Sequence, residues 1–233
     1  MLALPNLVAA QSMPYISRNV ILLDPAHGGQ DNGAAIGSQP EKNITLSLSD
    51  TLKSLLTARG FTVATTRDGD PPAGAPALTF DQRAGTANHL RPAACILLHV
   101  TSSGFGVHLV TSALDPSVSP YEPSVPQPWD TAQAFYIPQS RSLANDLGLA
   151  LEHAKLPVVL LHAAVRPLDN LTCPALAVEL APLARSGQRP LPPSDSLYQQ
   201  RLATALADAL VAWRDENLPK PAPPAPKPAG VTP

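Results

Sequence analysis

The sequence predicts an α/β fold: a three-layer sandwich with a mostly parallel central sheet flanked by helices. Three observations point there. NVILLD (19–24), CILLHV (95–100) and ALAVEL (175–180) are continuous apolar runs of strand length, the pattern of strands covered on both faces. Amphipathic stretches at helical spacing separate such runs, and strands alternating with helices favour parallel pairing. At 233 residues and 44% hydrophobic content, the chain can bury one substantial core, which predicts one domain with tails.

The elements follow in order. Residues 19–24 form the first strand, and the glycines after it mark a turn. From Lys42, the residues Ile44, Leu48, Leu52, Leu55 and Leu56 share a helical face, and Gly60 stands where a helix C-terminus favours a left-handed residue. Residues 61–66 (FTVATT) are β-branched and read as the next strand, with Arg67-Asp68 after it as a turn whose ion pair is worth little if exposed. Residues 81–90 carry a helical pattern through Arg83, Ala84 and Ala87, and residues 95–100 return to the sheet. GVHLVT (106–111) alternates as a strand does, and residues 140–155 are helical through Leu143, Leu147 and Leu151. Two strands (156–165 and 175–180) and a closing helix (196–214) complete the pattern, without an internal repeat. This assigns residues 18–216 to the folded domain, with a proline-rich insertion at 113–139. Residues 217–233 read as an extended proline-rich tail, and residues 1–17 as a leader or the remnant of a signal segment.

Composition removes several functions. A formal charge of -2 without a Lys/Arg cluster leaves no footprint for nucleic acid. No apolar run reaches the roughly 18 to 20 residues that span a bilayer. Cys95 and Cys173 fit neither a zinc ribbon nor a disulfide framework, and their spacing leaves pairing open.

In an open parallel sheet, ligands bind beyond the carboxyl ends of the strands. His27 follows the first strand, His99 and Glu179 lie near the ends of two others, and Glu41 opens the first long helix, so all four can face one edge. Singly, a strand-end histidine is usually a hydrogen-bonded structural residue, and a glutamate at a helix start usually complements the helix dipole. Glu179 is harder to dismiss, because a carboxylate inside an apolar strand must be paired, bound to metal or set in a cleft. Together the four fit a zinc site with two imidazoles and a carboxylate as ligands, beside a glutamate that handles protons. His108, on an alternating strand, reads as a packing or hydrogen-bonding residue and not as a ligand; His89, His153 and His162 have no partner pattern.

These motifs, in this order, resemble the zinc-dependent N-acetylmuramoyl-L-alanine amidases. LLDPAHGGQDNGA (22–34) is similar to the family's first zinc-histidine motif, and Glu41-Lys42 opens the next helix as its carboxylate ligand does. FTVATTRDGD (61–70) and DQRAGTANHL followed by ILLHV are similar to the strand, turn, helix and second histidine strand, and PALAVELAPL (174–183) to the strand of the catalytic glutamate. The resemblance implies Zn²⁺ on His27, Glu41 and His99, with Glu179 catalytic. It implies hydrolysis of the amide between N-acetylmuramic acid and L-alanine, with peptidoglycan as the partner and export to the periplasm or cell envelope. Val100-Thr101-Ser102 and Leu180 to Leu183 depart from the family's usual residues at those places. Regulated relatives carry a metal-covering segment where 113–139 lies; such an insertion is more often a plain surface loop than a lid, and the resemblance adds the alternative of a lid with an activator protein acting on it. Two other readings stand beside this one: a non-catalytic peptidoglycan-binding module on the same fold, and a zinc carboxypeptidase using Arg141 or Arg166 to clamp a terminal carboxylate.

Overall fold

The three continuous apolar runs become neighbouring strands at the centre of one sheet: β1 (Ser17–Pro25), β5 (Pro92–Val100) and β8 (Ala175–Leu180). The structure is a computed structural model and describes residues 17–72, 74–117 and 128–216. The other elements are β2 (Ala35–Ile36), β3 (Gln39–Pro40), α1 (Glu41–Ala58), β4 (Thr62–Thr65), α2 (Phe80–Leu90), β6 (Val107–Ser112), α3 (Ile137–His153), β7 (Val158–Ala163) and α4 (Ser196–Glu216). Short 3-10 turns lie at Trp129–Tyr136 and Leu168–Asn170. The six-stranded sheet runs β4-β1-β5-β8-β6-β7. Every pairing is parallel except β6 with β8, so β6 and β7 run against the other four strands.

Alternate residues of the central strands feed two cores. Ile21, Leu23, Ile96, Leu98, Leu176 and Val178 pack under α1, α3 and α4, meeting leucines such as Leu52, Leu147 and Leu206. The other face carries Leu22, Leu97, Ala175 and Ala177 against Ala84 and Ala87 of α2 and Leu168 and Leu171. Full burial of one such leucine is worth about 1.5–3 kcal/mol, which is why these runs admit so few polar residues. α1 stops as its sequence predicts: the Arg59 N–H returns to Leu56 O, and Gly60 takes φ 86°. α3 begins at Ile137, earlier than the Ser140 start read from the leucine spacing, because Pro138 lies in its first turn, where a missing N–H costs nothing. Part of the predicted insertion, residues 118–127, lies outside the described residues, as do residues 1–16 of the predicted leader (1–17), whose last residue, Ser17, begins β1, and the tail at 217–233.

Cys95 and Cys173 form a disulfide across the second core, both fully buried. It ties β5 to the segment entering β8, the two strands that carry His99 and Glu179. With its ends 78 positions apart in sequence, the bridge removes much of the unfolded chain's freedom. Replacing both cysteines by alanine is expected to lower unfolding free energy by about 2–5 kcal/mol, read from urea denaturation midpoints.

Candidate metal centre

Glu41 is the first residue of α1, yet its side chain is only 5% exposed. Its Oε2 accepts the N–H of Ala34 and its Oε1 the N–H of Val100, so the carboxylate bridges the β1–α1 turn to the end of β5. The same oxygens meet two imidazoles. His27 Nε2 is 3.0 Å from Oε2, and His99 Nδ1 is 3.3 Å from Oε1. The two rings stand edge to face, 5.7 Å between centroids. Burial pushes the Glu41 carboxyl up, but hydrogen bonds with His27, His99 and the two backbone N–H groups outweigh it and hold the group well below the usual carboxylate range.

His27 is pinned from three sides. Its Nδ1 lies 2.8 Å from Asp31 Oδ2; an ionised carboxylate can only accept, so Nδ1 donates there just as Nε2 does to Glu41, and the two carboxylates raise the ring's pKa above the ordinary imidazole value. Its backbone takes φ 64°, an uncommon conformation for a side-chain-bearing residue, costing about 1–3 kcal/mol. Two buried guanidinium groups hold that turn. Arg83 pairs with Asp24 and donates to Pro25 O and His27 O, while Arg67 donates to Pro25 O, Ala26 O, Lys42 O and Thr45 Oγ1. This corrects the expectation of an Arg67-Asp68 ion pair. Arg67 turns inward to backbone carbonyls, whereas Asp68 stays outside with Lys53 and Thr65. An arginine following a strand looks like surface punctuation in sequence, and only the turn's inward carbonyls call it in.

Gly33 makes the approach of His27 and Glu41 sterically feasible. At φ 65°, a Cβ there would stand 2.5 Å from His27 Cδ2 and 2.8 Å from Glu41 Oε2.

His27, Glu41 and His99 can each offer one ligand atom, all within 4.8 Å of one another. Ligands held at about 2.0–2.1 Å in a tetrahedron sit about 3.3 Å apart, close to the spacings between Glu41 and each ring. Asp31 behind His27 is the outer carboxylate that metal-binding histidines usually have. Two nitrogens and one oxygen suit a borderline divalent cation, and the residues fit one.

Glu179 sits beside this cluster, as the register partner of His99. Its side chain is 36% exposed, so the carboxylate opens to solvent instead of entering the core. On its far side the register partner is His108 of β6, whose Nδ1 lies 2.7 Å from Glu179 Oε2. The expectation that His108 makes a hydrogen bond holds, but its partner was not foreseen. The turn Thr101 to Gly106 and the exits of β2 and β8 shape a neighbouring groove of about 420 Å³, lined by Ile36, Ser102, Phe105 and Pro182 among others. Arg141 is elsewhere, in a cavity on the α3 face with Leu109, Thr111 and His162. Arg166 follows β7, which ends at the edge opposite the cluster.

Residues 21–212 match the family model described as N-acetylmuramoyl-L-alanine amidase. The chain is 26% identical over 214 residues to a germination-specific N-acetylmuramoyl-L-alanine amidase of Bacillus subtilis, covering 88% of this chain and 84% of that protein. It is 31% identical over 173 residues to an N-acetylmuramoyl-L-alanine amidase of Mycobacterium tuberculosis, covering 62% and 70% respectively. Among solved structures, an amidase of Mycobacterium smegmatis superposes with a TM-score of 0.65 at 20% identity, over 85% of this chain and 97% of that one. An amidase of Clostridioides difficile, solved in complex with a lipoprotein, gives 0.62 at 17% identity, over 85% and 100%.

Two substitutions test the geometry. Asp31→Ala is expected to weaken divalent-metal affinity by about 10- to 100-fold while circular dichroism is unchanged. Gly33→Ala is expected to weaken it by at least about 10-fold, because the new methyl group displaces His27 or Glu41; both are read by metal titration.

Proposed function

The chain belongs to the N-acetylmuramoyl-L-alanine amidase family, and on that premise we propose that its active centre is a Zn²⁺ ion held by His27, Glu41 and His99, with Glu179 as the proton-transferring group. The reaction is hydrolysis of the amide joining the lactyl group of N-acetylmuramic acid to L-alanine in peptidoglycan. One observation carries the reading of the centre: three ligand-bearing side chains converge within 4.8 Å, with a carboxylate on the adjoining strand position.

When bound, zinc supplies Lewis acidity, polarising the scissile carbonyl and making water a usable nucleophile near neutral pH. The protein's residues do the rest. His27 and His99 would each offer a ring nitrogen to the ion, and the Nδ1 contact to Asp31 fixes which nitrogen of His27 faces it. Glu41 stays ionised and supplies the negative ligand. Glu179 accepts the proton from attacking water and returns it to the leaving amine, a contribution of about 100- to 10,000-fold. The groove beside the turn Thr101 to Gly106, with exposed Phe105, offers a surface for the muramyl peptide.

The carboxypeptidase reading loses its support. Arg141 and Arg166, which a carboxylate clamp would need, lie on another face and another edge, and Arg67 and Arg83 are engaged with backbone carbonyls. Convergence of His27, Glu41 and His99 in one cluster, with Glu179 at the adjoining strand position, speaks against a binding module without activity. The buried disulfide supports action outside the reducing cytoplasm, in the periplasm or cell envelope, where the substrate lies. No described helix is long and apolar enough to cross a membrane. An activator acting on residues 113–139 belongs to the same proposal, supported by the fold neighbour solved with a lipoprotein.

Glu179→Gln is expected to retain one equivalent of zinc while hydrolysis of purified sacculi falls at least about 100-fold; His27→Ala is expected to lose both. Metal analysis, and mass spectrometry of released stem peptides with free L-alanine N-termini, are the readouts. Zinc-free wild-type protein would overturn the reading.

A further inference from the structure

We propose that His108 is the positioning residue for Glu179, fixing the carboxylate's orientation through a hydrogen bond from Nδ1. This rests on the amidase reading above and names the device that aims its proton-transferring group.

The argument begins with topology. β5, β8 and β6 are adjacent, and His99, Glu179 and His108 are register partners across them. Register partners project from the same face of a sheet, so the three form a row about 4.8 Å per step. β6 runs antiparallel to β8, so its second residue lies at the edge where β5 and β8 end. Had β6 been parallel, His108 would sit at the opposite edge of the sheet, remote from the cluster.

The contact is specific. His108 Nδ1 is 2.7 Å from Glu179 Oε2, and a carboxylate that must accept a proton in catalysis starts ionised, so the imidazole is the donor. Among the described residues Oε2 has no other hydrogen-bond partner, and Oε1 has none, leaving Oε1 free for water. The ring itself is held. Gly104, at φ 76°, packs so close that a Cβ there would stand 3.1 Å from His108 Cε1 and 3.4 Å from Nε2. That glycine belongs to the turn leaving His99, and the turn is anchored in turn by the Tyr198 hydroxyl, 3.1 Å from both Gly106 O and Ala181 O. Glu179 is a half-open glutamate with three side-chain torsions, and without this bond its carboxylate would sample several rotamers. A misplacement of about 1 Å in a reacting group can cost about 100-fold in rate.

The test uses the zinc-loaded full chain on purified sacculi. His108→Leu is expected to lower kcat by about 10- to 100-fold with KM changed less than about twofold and zinc stoichiometry unchanged. His108→Asn, whose amide N–H stands where Nδ1–H stood, is expected to recover most of that loss. Added to Glu179→Gln, His108→Leu is expected to cost less than about twofold more, because the two residues act as one unit. A separate readout is free of activity: ¹⁵N imidazole spectra of the metal-free protein are expected to show His108 protonated at Nδ1. Wild-type kcat in His108→Leu, equal losses in His108→Leu and His108→Asn, or an unprotonated Nδ1 overturns the proposal while leaving the amidase reading intact. Full activity in Glu179→Gln overturns the proposal together with the proton-transferring role of Glu179, since there would be no base to position.

Discussion

The structure around the candidate metal centre depends on one buried carboxylate. Glu41 stands at the start of α1, where a negative charge is favoured by the helix dipole, but its four contacts reach well beyond the helix. It joins the β1–α1 turn through Ala34, β5 through Val100, and both imidazoles. A carboxylate this deeply buried is tolerable only because every direction around it is answered by a donor. The cost of burying it is thereby converted into a fixed distance between His27, on the turn after β1, and His99, on β5, which have no covalent reason to meet.

The second constraint is the turn that delivers His27. Its carbonyls point inward, and the guanidinium groups of Arg67 and Arg83 meet them, each guanidinium fork serving several oxygens at once. Asp24, at the end of β1, compensates the charge of Arg83. This network sustains a left-handed His27 and a close-packed Gly33, features that would not persist in a loosely held loop. Strain at the site is thus supported by charge buried one layer behind it.

The reversal of β6 completes the centre from the other side. By lying antiparallel on β8, it brings a histidine to the carboxyl edge from the beginning of a strand, while the Cys95–Cys173 bridge locks β5 and the approach to β8 together on that same face. His99, Glu179 and His108 therefore share one surface of the sheet, and the β1–α1 turn brings His27 and Glu41 to its edge.

Much of this was legible in the sequence, for a definite reason. Continuous apolar runs and helical periodicity reflect burial on one or two faces, which is local information, so the central strands and the main helices could be read directly. His27, Glu41, His99 and Glu179 were legible as a set because strand ends in an α/β sheet converge and because an acid in an apolar strand demands an explanation. What the tertiary structure alone decided is everything that depends on which strand lies beside which and in what direction. Strand direction is set by how the chain crosses the sheet and not by the pattern of the strand itself, so VHLVTS reads alike whether His108 meets Glu179 or faces away. The same holds for Arg67, whose neighbours in sequence are polar while its neighbours in space are carbonyls, and for the two cysteines, whose pairing required β5 and the entry of β8 to be adjacent.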